Sequence, residues 1–320
     1  MSVVIPAYNV SEFISEALES VFAQDFTDYE IIVVNDGSSD KPELERSLAP
    51  YAHRIIFLEQ ENKGISAARN AAIRIARGEY IAFLDGDDVW LPNKLSMQLR
   101  FMGEENCVLA YSNALYFGES PWPAGTSFME KLPSSGKVTR ESLLGLNCVV
   151  PCSTVVVRKE LIIAAGMFDD DLAAAEDFDL WLRILGLDGA TAGFQKTVLA
   201  KYRVRPTGIS SNRIALHKAA LRVLDKIQTL VDLNPRELAA LHRTTQNLKA
   251  LIGLERSKQM IVDGDFDKAR HLLKQIEPLH GTVKLVFGRI VLRLYPQLLQ
   301  MFYKKQLKPS VSSKSLESST

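Results

Sequence analysis

The first ninety residues alternate between short apolar runs and amphipathic helical patterns, and this alternation restricts the possible folds more than any other feature of the chain. The apolar runs are rich in valine and isoleucine and lack regular polar alternation; they occupy residues 3–7, 30–34, 55–58 and 80–84. Such runs are typical of parallel strands buried on both faces. Because parallel strands are joined by crossovers, usually helices, the pattern predicts an α/β fold with a doubly wound, mostly parallel sheet.

Polar residues follow three of these predicted strands. They are Tyr8-Asn9 after the first strand, residues 35–38 after the second and residues 85–88 after the fourth. An open α/β sheet binds its ligand in the crevice beyond the carboxyl ends of its strands. The sequence therefore predicts that the three polar segments meet in one ligand-binding crevice.

The segment after the fourth strand carries three carboxylates, Asp85, Asp87 and Asp88. Like charges this close are costly unless a positive charge lies among them. A divalent cation such as Mg²⁺ or Mn²⁺ supplies that charge, because it takes few carboxylates and completes its shell with phosphate oxygens and water. An acidic turn that faces solvent is the alternative.

Two further residues near strand ends have both a ligand-binding and a structural interpretation. Asp36 can accept the N–H of a nucleobase, or it can form an Asx turn with the residues that follow it. Arg69 lies near the start of a predicted helix, where a base carbonyl or a phosphate can bind. It can also be an ordinary surface residue.

Residues 176–183 predict the start of an amphipathic helix. Asp179 and Arg183 are four residues apart, and we expect them to form a surface ion pair. Asp177 lies in the first turn, where it is either a helix cap or a general base. The spacing alone does not decide between these two roles.

Charge and cysteine content restrict the possible partners and compartment. Acidic and basic residues number 38 each, so the net charge gives no sign of nucleic-acid binding, and no such partner is expected. Three cysteines are too few for a disulfide framework and are expected to be buried thiols in a reducing compartment, with a metal-binding pair of Cys148 and Cys152 as the alternative. No secretory signal or membrane-spanning run is recognised, so we expect a cytoplasmic protein.

Five segments resemble the motifs of glycosyltransferase family 2, in the order and spacing of that family. They are residues 3–9, 34–40, 62–70 and 83–90, and the Glu176-Asp177 pair with Trp181 and Arg183. The resemblance is to bacterial polysaccharide and lipopolysaccharide enzymes, and it implies a GT-A fold and an inverting mechanism. It further implies transfer of a hexosyl or N-acetylhexosaminyl group from a nucleotide sugar, usually a UDP-sugar, to a hydroxyl of a glycan or glycolipid acceptor.

The resemblance also implies roles for individual residues. Asp177 would be the catalytic base, and Asp87 with Asp85 would hold the divalent metal, Mn²⁺ or Mg²⁺. Asp36 would recognise the base, and Arg69 would support the base or the diphosphate. The full set of implied donor-binding residues is Pro6, Ala7, Tyr8, Asp36, Arg69, Asp85 and Arg205.

Arg205 departs from the pattern of the family. Many relatives carry a histidine at this place, two residues beyond an arginine that corresponds to Arg203. Arginine cannot ligate a metal, but it can clamp a phosphate through two hydrogen bonds. We therefore expect Arg205 to contact the donor diphosphate, and Asp87 with donor oxygens to hold the metal.

The resemblance and the composition together predict the domain organisation. Residues 1–210 would form the GT-A domain, with a nucleotide-binding half (1–90) and an acceptor and catalytic half (91–210) that contains a long loop over 120–136. The C-terminal part would comprise a helical appendage (211–282), a basic amphipathic helix (283–308) and a disordered tail (309–320).

Residues 284–308 contain six basic residues and no acidic one, mixed with apolar residues. One interpretation is an interfacial helix on an anionic membrane, which would place the protein at the inner face of that membrane. The other is a packed helix with a solvated basic face.

Three other functions are less consistent with the sequence. A dinucleotide-dependent oxidoreductase would carry G-x-G-x-x-G after its first strand. A nucleotidyltransferase would carry a glycine-rich basic loop there, where this chain has Tyr8-Asn9-Val10-Ser11. A non-catalytic nucleotide-sugar-binding or scaffold protein on the same fold would be expected to lack one of the four key acids, and all are present: Asp36, Asp85, Asp87 and Asp177.

Overall fold

A computed structural model describes residues 1–132, 134–206, 208, 212–276 and 291–307 of the chain. The chain divides into two compact units, Met1–Thr244 and Thr245–Thr320. The predicted boundaries at 210 and 282 stay predictions. The predicted tail (309–320) and the first residues of the predicted basic helix (283–290) lie outside the described residues.

The first unit is built on an eight-stranded sheet. Its strands are β1 (Ser2–Ala7), β2 (Glu30–Asp36), β3 (Ile56–Gln60), β4 (Tyr80–Phe83), β5 (Val89–Trp90), β6 (Leu109–Gly118), β7 (Val155–Arg158) and β8 (Ala192–Val204). Their order across the sheet is β3-β2-β1-β4-β7-β6-β8-β5. The four N-terminal strands pair in parallel, as do β6 and β8, whereas β7 is antiparallel to both β4 and β6. The predicted mostly parallel sheet is confirmed.

The first unit also contains helices that flank this sheet, and further helices belong to the second unit. They are α1 (Ile14–Phe22), α2 (Lys41–Leu48), α3 (Ile65–Ile75), α4 (Lys94–Glu104), α5 (Phe128–Lys131), α6 (Arg140–Leu144), α7 (Lys159–Ala164), α8 (Glu176–Ile184), α9 (Arg213–Leu230), α10 (Pro235–Asp263), α11 (Phe266–Ile276) and α12 (Pro296–Leu307). The segment predicted as a loop over 120–136 contains the one-turn helix α5. At its start, the N–H of Ser127 donates to Glu130 Oε1 at 3.3 Å and Ser127 Oγ donates to the same oxygen at 3.0 Å, in a capping box.

The valine-rich and isoleucine-rich strands form the core, as their lack of polar alternation predicts. Every residue of β1 is buried, and all but the first residue of β2 are buried. The turn before β4 passes close to the start of β1, because a Cβ on Gly78 would lie 2.5 Å from the backbone of Met1 and Ser2. Because β4 pairs with β1 in parallel, the carboxyl ends of both strands lie at the same edge of the sheet.

Three aromatic side chains pack the start of α8 against the sheet. The Phe83 ring on β4 lies 5.4 Å from the Phe168 ring and 6.0 Å from the Trp181 ring on α8. Aromatic contacts of this kind add to the free energy gained by burying the rings. They place the first turn of α8 beside the carboxyl end of β4.

The second unit has its own small apolar cluster, formed by α10, α11 and the segment around α12. Its buried members are Ala250, Ile261, Ala269, Leu273, Ile276 and Leu292. Among the described residues, no helix combines the length and the apolar character that crossing a membrane requires.

Candidate active site

The segments that follow β1 and β2 are joined by hydrogen bonds. The backbone N–H of Asn9 donates to Ser38 Oγ at 3.1 Å, and Asn9 Oδ1 accepts the N–H of Ser39 at 2.9 Å. Pro6 and Ala7 are buried at the end of β1, whereas Tyr8 is 49% exposed. The two polar segments thus meet at the carboxyl edge of the sheet, and the Tyr8 ring is available at the surface there.

Asp36 fixes the turn that leads into α3. Its Oδ1 accepts hydrogen bonds from Gln60 Nε2 at 2.7 Å and from the Lys63 N–H at 2.9 Å, and its Oδ2 accepts the Gly64 N–H at 2.9 Å. These bonds differ from the Asx turn considered in the sequence; the turn after β2 is closed by the neighbouring Asn35, whose Oδ1 accepts the N–H of Ser38, three residues further on. Asp36 is buried and holds the turn at Lys63 and Gly64, directly before α3, in place.

Arg69 is an internal ionic bridge and not a surface residue. Its side chain is 1% exposed; Nη2 lies 2.6 Å from Asp85 Oδ1, and Nη1 lies 2.5 Å from Glu176 Oε1. The guanidinium thereby connects three elements: α3, the segment after β4 and the start of α8. Glu176, which the sequence analysis assigned no role of its own, completes this bridge.

Asp177 lies in the same charged cluster. It is not the helix cap, because Ala175 occupies that position with a left-handed backbone at φ 60°. Asp177 Oδ1 accepts the N–H of Phe178 at 2.7 Å. Burial raises the pKa of Asp177 to about 7, the negative charges of Glu176 and Asp85 act in the same direction, and Arg69 opposes them.

This environment suits a general base. A carboxyl group with a pKa near neutrality can take up a proton in the course of a reaction and release it afterwards. A left-handed conformation at a residue with a side chain is costly, and such strained residues occur at functional sites among other places. Ala175 adopts that conformation directly before the Glu176-Asp177 pair.

The three carboxylates after β4 have different surroundings. Asp88 is buried and its Oδ1 accepts the N–H of Arg203 at 2.8 Å, so it ties this segment to β8. Asp85 engages Arg69 through Oδ1, and Asp87 Oδ2 lies 2.6 Å from Arg205 Nε. Burial raises the pKa of Asp87, with a further contribution from Asp85, whereas Arg205 lowers it.

The carboxylate oxygens that remain fit a divalent cation in part. Asp85 and Asp87 each use one oxygen for an arginine, which leaves the second oxygen of each as a hard ligand of the kind that Mg²⁺ and Mn²⁺ prefer. Within the described residues, no group of three or more acidic, histidine or cysteine side chains is arranged to hold a metal ion. A bound cation would therefore take most of its ligands from elsewhere, as a diphosphate and water can provide.

Arg203 brings β8 to the acidic segment. Its Nε donates to the Asp87 carbonyl at 2.7 Å, and its guanidinium lies between two rings, 4.2 Å from the centre of Phe117 and 4.6 Å from that of Phe13. These contacts place Arg205, two residues further along, against the Asp87 side chain. The sequence indicated a role for Arg205 but not this anchoring role for Arg203.

Ser153 fixes the backbone position of Asp85. Ser153 Oγ accepts the backbone N–H of Asp85 at 3.0 Å, and the Ser153 carbonyl accepts a hydrogen bond from Trp90 Nε1 at 2.8 Å. Ser153 carries no sequence signal of its own, because a single serine beside a strand is common. The neighbouring Cys152 is a buried free thiol, as are the other two cysteines.

The predicted pair of Asp179 with Arg183 forms, but its predicted surface location is wrong. Arg183 does bond to Asp179 at 2.6 Å, but the Asp179 side chain is 0% exposed and also lies 2.8 Å from Lys226 Nζ on α9. Arg183 further donates to the carbonyls of Ala165 and Met167. Asp179 is buried because α9 covers this side of α8, and the network holds the helix that carries Asp177.

Comparisons with known proteins agree on a family. The sequence model of the family described as "Glycosyl transferase family 2" matches residues 2–164. The chain is 35% identical over 217 residues to an Escherichia coli protein, UDP-Glc:alpha-D-GlcNAc-diphosphoundecaprenol beta-1,3-glucosyltransferase WfgD, covering 67% of this chain and 80% of that one. It is 31% identical over 233 residues to the putative teichuronic acid biosynthesis glycosyltransferase TuaG of Bacillus subtilis. That match covers 72% of this chain and 89% of TuaG.

Some relatives are much longer than this chain. The match covers 37% and 32% of two uncharacterized glycosyltransferases, from Rickettsia felis and Rickettsia bellii. The region shared with these longer proteins nevertheless amounts to 70% of the present chain in each case.

Solved structures share the fold. TarS residues 1–349 of S. aureus in complex with UDP superposes with a TM-score of 0.58 at 19% identity, covering 98% of this chain and 94% of that one. The mannosyltransferase PcManGT from Pyrobaculum calidifontis, in complex with GDP-Man and Mn²⁺, superposes with a TM-score of 0.62 at 18% identity. The match covers 95% of this chain and 83% of that one. The sheet with its flanking helices is therefore the GT-A fold that the sequence predicts, and the chain belongs to glycosyltransferase family 2 and is a glycosyltransferase.

Proposed function

We propose that this glycosyltransferase moves a hexosyl or N-acetylhexosaminyl group from a UDP-sugar to a hydroxyl of a glycan or glycolipid acceptor, with inversion at the anomeric carbon. One observation carries the proposal. The Arg69 bridge joins Asp85, at the carboxyl end of β4, to Glu176, directly before Asp177. A candidate base with a raised pKa therefore lies in one charged cluster with a carboxylate that can face a donor.

Asp177 is the catalytic base of this proposal. Its carboxylate takes the proton of the acceptor hydroxyl as the hydroxyl oxygen bonds to the anomeric carbon of the donor. The bond from that carbon to the diphosphate oxygen breaks on the opposite face, and its electron pair leaves with the nucleoside diphosphate. A single displacement of this kind inverts the anomeric configuration and needs no nucleophile from the protein.

The proposed donor site lies along the carboxyl edge of the sheet. Pro6, Ala7 and Tyr8 line the nucleotide pocket, with the exposed Tyr8 ring beside the base. Asp36 recognises the base from a position that its three hydrogen bonds fix. Asp85 lies by the ribose and diphosphate, and because Arg69 is buried, it supports the donor through Asp85 and not by direct contact.

Asp87 and Asp85 are the proposed protein ligands of the divalent metal. When bound, Mn²⁺ or Mg²⁺ would stabilise the negative charge that develops on the leaving diphosphate. Arg205 lies against Asp87 and carries a permanent positive charge to the same place. We propose that Arg205 clamps the diphosphate and partly replaces the histidine that many relatives carry there.

The names of two relatives support an acceptor in cell-envelope glycan synthesis. WfgD is named for an acceptor linked to diphosphoundecaprenol, which is a lipid, and TuaG for teichuronic acid biosynthesis. A lipid-linked acceptor would place the reaction at a membrane surface. The three free, buried thiols fit the reducing conditions of the cytoplasm, and we propose that the enzyme works there, at the inner face of the membrane.

A donor screen by thermal shift tests the proposal. In the presence of Mn²⁺, a UDP-sugar at about 100 times its Kd is expected to raise Tm by roughly 5–10 °C, because binding to the native state contributes about 2.7 kcal/mol. GDP- and dTDP-sugars are expected to give smaller shifts. The Asp87→Asn variant should lose the metal-dependent part of the shift. If no nucleotide sugar binds with or without metal, a non-catalytic scaffold on the same fold becomes the better explanation.

Substitution of Arg205 by histidine tests the proposed phosphate clamp. We expect the Arg205→His variant to bind Mn²⁺ about tenfold more tightly in the presence of UDP, because the change removes a positive charge from Asp87 and adds an imidazole ligand. Without metal, its affinity for UDP should fall, because the bidentate contact with phosphate is lost. Calorimetry with Mn²⁺ and UDP measures both constants.

The matched control is Arg74→His, at an exposed position on α3. It makes the same exchange of residue types away from Asp87 and should leave both constants unchanged. Equal Mn²⁺ affinity of wild type and Arg205→His would contradict the proposal that Arg205 and the metal share Asp87.

A further inference from the structure

An exposed apolar face lies on the last described helical segment of the second unit. Its residues, called the exposed apolar face below, are Leu294 (62% exposed), Tyr295 (61%), Leu298 (63%), Met301 (69%) and Phe302 (54%). Leu298, Met301 and Phe302 follow the turns of α12, so their side chains share one side of it, and Leu294 and Tyr295 directly precede α12 in the chain. Single exposed apolar residues are ordinary, but five within residues 294–302, three of them on one side of α12, mark an interaction surface.

The same segment packs into its own unit through a different side. Leu292 is fully buried, and Leu299 and Tyr303 lie against the apolar cluster of α10 and α11. At 100° per residue, Leu299 and Tyr303 fall within about 40° of each other on α12, and Leu298, Met301 and Phe302 occupy a separate arc. The segment is therefore already held in the fold without the exposed residues, which remain available for a partner.

The charge of this region points to the nature of the partner. Residues 284–308 carry six basic residues and no acidic one. Of these, Arg293 and Lys304 are exposed; helical spacing places Lys304 about 60° from Met301 on α12, and Arg293 directly precedes Leu294 in the chain. An apolar side flanked by lysine and arginine, with no acid, is the arrangement of helices that lie in the interface of an anionic bilayer.

The aromatic content agrees with a lipid partner. Tyr295 and Phe302 belong to the exposed apolar face, and tyrosine is enriched at the level of the lipid headgroups, because its ring is apolar and its hydroxyl is polar. A helix on the surface would bury its apolar side only about 5–10 Å deep. No span across the bilayer is required.

We propose that the exposed apolar face is a docking surface for an anionic lipid bilayer, with Leu294, Leu298, Met301 and Phe302 inserted among the acyl chains. Arg293 and Lys304 contact the lipid phosphates. This docking goes beyond the reaction proposed above and does not depend on it. It would hold the enzyme at the surface where a lipid-linked acceptor is presented.

Vesicle sedimentation of the full chain tests the docking surface. The wild-type protein is expected to sediment with phosphatidylcholine vesicles that contain about 30% phosphatidylglycerol, more weakly with pure phosphatidylcholine, and less as salt is raised. The triple variant Leu298→Ser, Met301→Ser, Phe302→Ser should lose at least about tenfold in partition to the anionic vesicles. A second variant, Arg293→Gln with Lys304→Gln, should lose the preference for anionic over neutral vesicles.

The matched control is Leu230→Ser, which changes a 72% exposed leucine on α9, outside the face. It should sediment as the wild type does. Thermal unfolding and UDP binding of each variant show whether the fold is retained, and since sedimentation needs neither donor nor acceptor, failure of docking is separate from failure of the proposed reaction. Anionic vesicles that bind the triple variant as well as the wild type would overturn the proposal. The proposal would also be overturned if the wild-type protein did not sediment with vesicles. The same holds if the wild type instead formed dimers that the triple variant does not form.

Discussion

The Asp177→Asn variant is expected to lose about 10²–10⁴-fold in kcat and to keep its affinity for the donor. Asparagine has the shape of the aspartate but cannot accept the proton of the acceptor hydroxyl, and general base catalysis contributes about that factor. The side chain accepts the Phe178 N–H through an oxygen that asparagine retains, so the start of α8 should keep its geometry. Product formation from a UDP-sugar and acceptor measures the loss, and calorimetry with UDP measures the donor affinity.

The pH dependence of the wild type is part of the same expectation. Burial raises the pKa of Asp177 to about 7, and only the ionised carboxylate can act as the base. The value of kcat/KM, which reports the free enzyme, should therefore rise with pH and reach half of its maximum near pH 7. The Asp177→Asn variant should lack this step in its residual activity.

Stability provides the control for folding. The pKa of Asp177 is higher in the folded protein, at about 7, than its unperturbed value of 3.8. Below its unfolded pKa, an acid of this kind does not change the free energy of unfolding with pH. As the pH rises from the unfolded pKa to the folded pKa, it destabilises the fold progressively. Asp177→Asn should therefore be at least as stable as the wild type at pH 8 and should not differ from it near pH 3.5.

A variant of the neighbouring loop distinguishes a catalytic loss from a general effect of removing a charge. Asp171 is an exposed aspartate six residues before Asp177, and Asp171→Asn should retain full activity. If Asp177→Asn keeps more than about a tenth of the wild-type kcat, another group removes the proton, and the proposed mechanism fails.

The sequence was most informative about the buried strands and the segments that follow them. Runs such as residues 31–34 have no solvent-facing side, so only a sheet covered on both faces can bury them. Once that sheet is parallel, its carboxyl ends must share one edge. For this reason the proximity of the segments at Asn9 and Ser38 could be predicted without coordinates.

Pairings between distant parts of the chain could not be predicted in this way. The second partner of Arg69 is Glu176, 107 residues further along, and no pattern in either segment identifies the other. Asp179 has the spacing of a surface pair with Arg183, and only the packing of α9, through Lys226, makes it buried. The helix α5 was missed although its Ser127-x-x-Glu130 capping box is a readable signal.

Substitution of Arg69 by methionine is expected to have the largest effect on stability. It leaves the Asp85 and Glu176 carboxylates facing each other without the guanidinium that lies between them. Removal of one partner from a buried ion pair typically costs about 3–5 kcal/mol. Urea unfolding should show this loss as a lower midpoint at an unchanged slope, because the surface exposed on unfolding stays the same.

Two companion variants separate the loss of charge from the loss of packing. Arg69→Lys keeps a positive charge but cannot reach both carboxylates with a planar fork, so it should lose less stability than Arg69→Met and still lose activity. The double variant Arg69→Met, Glu176→Gln removes one of the two unpaired charges. It should recover part of the stability, because residues in direct contact are not additive in their effects.

The kinetic effect of Arg69→Met follows from the same geometry. Arg69 lowers the pKa of Asp177, opposing burial and Glu176, so its removal should move the midpoint of the kcat/KM profile to higher pH. Arg69 would thus act through its neighbours, by orienting Asp85 and by keeping Asp177 ionised near neutral pH. A variant that loses stability but keeps the wild-type midpoint would show that the bridge is structural only, and the link between the Arg69 bridge and the base would have to be given up.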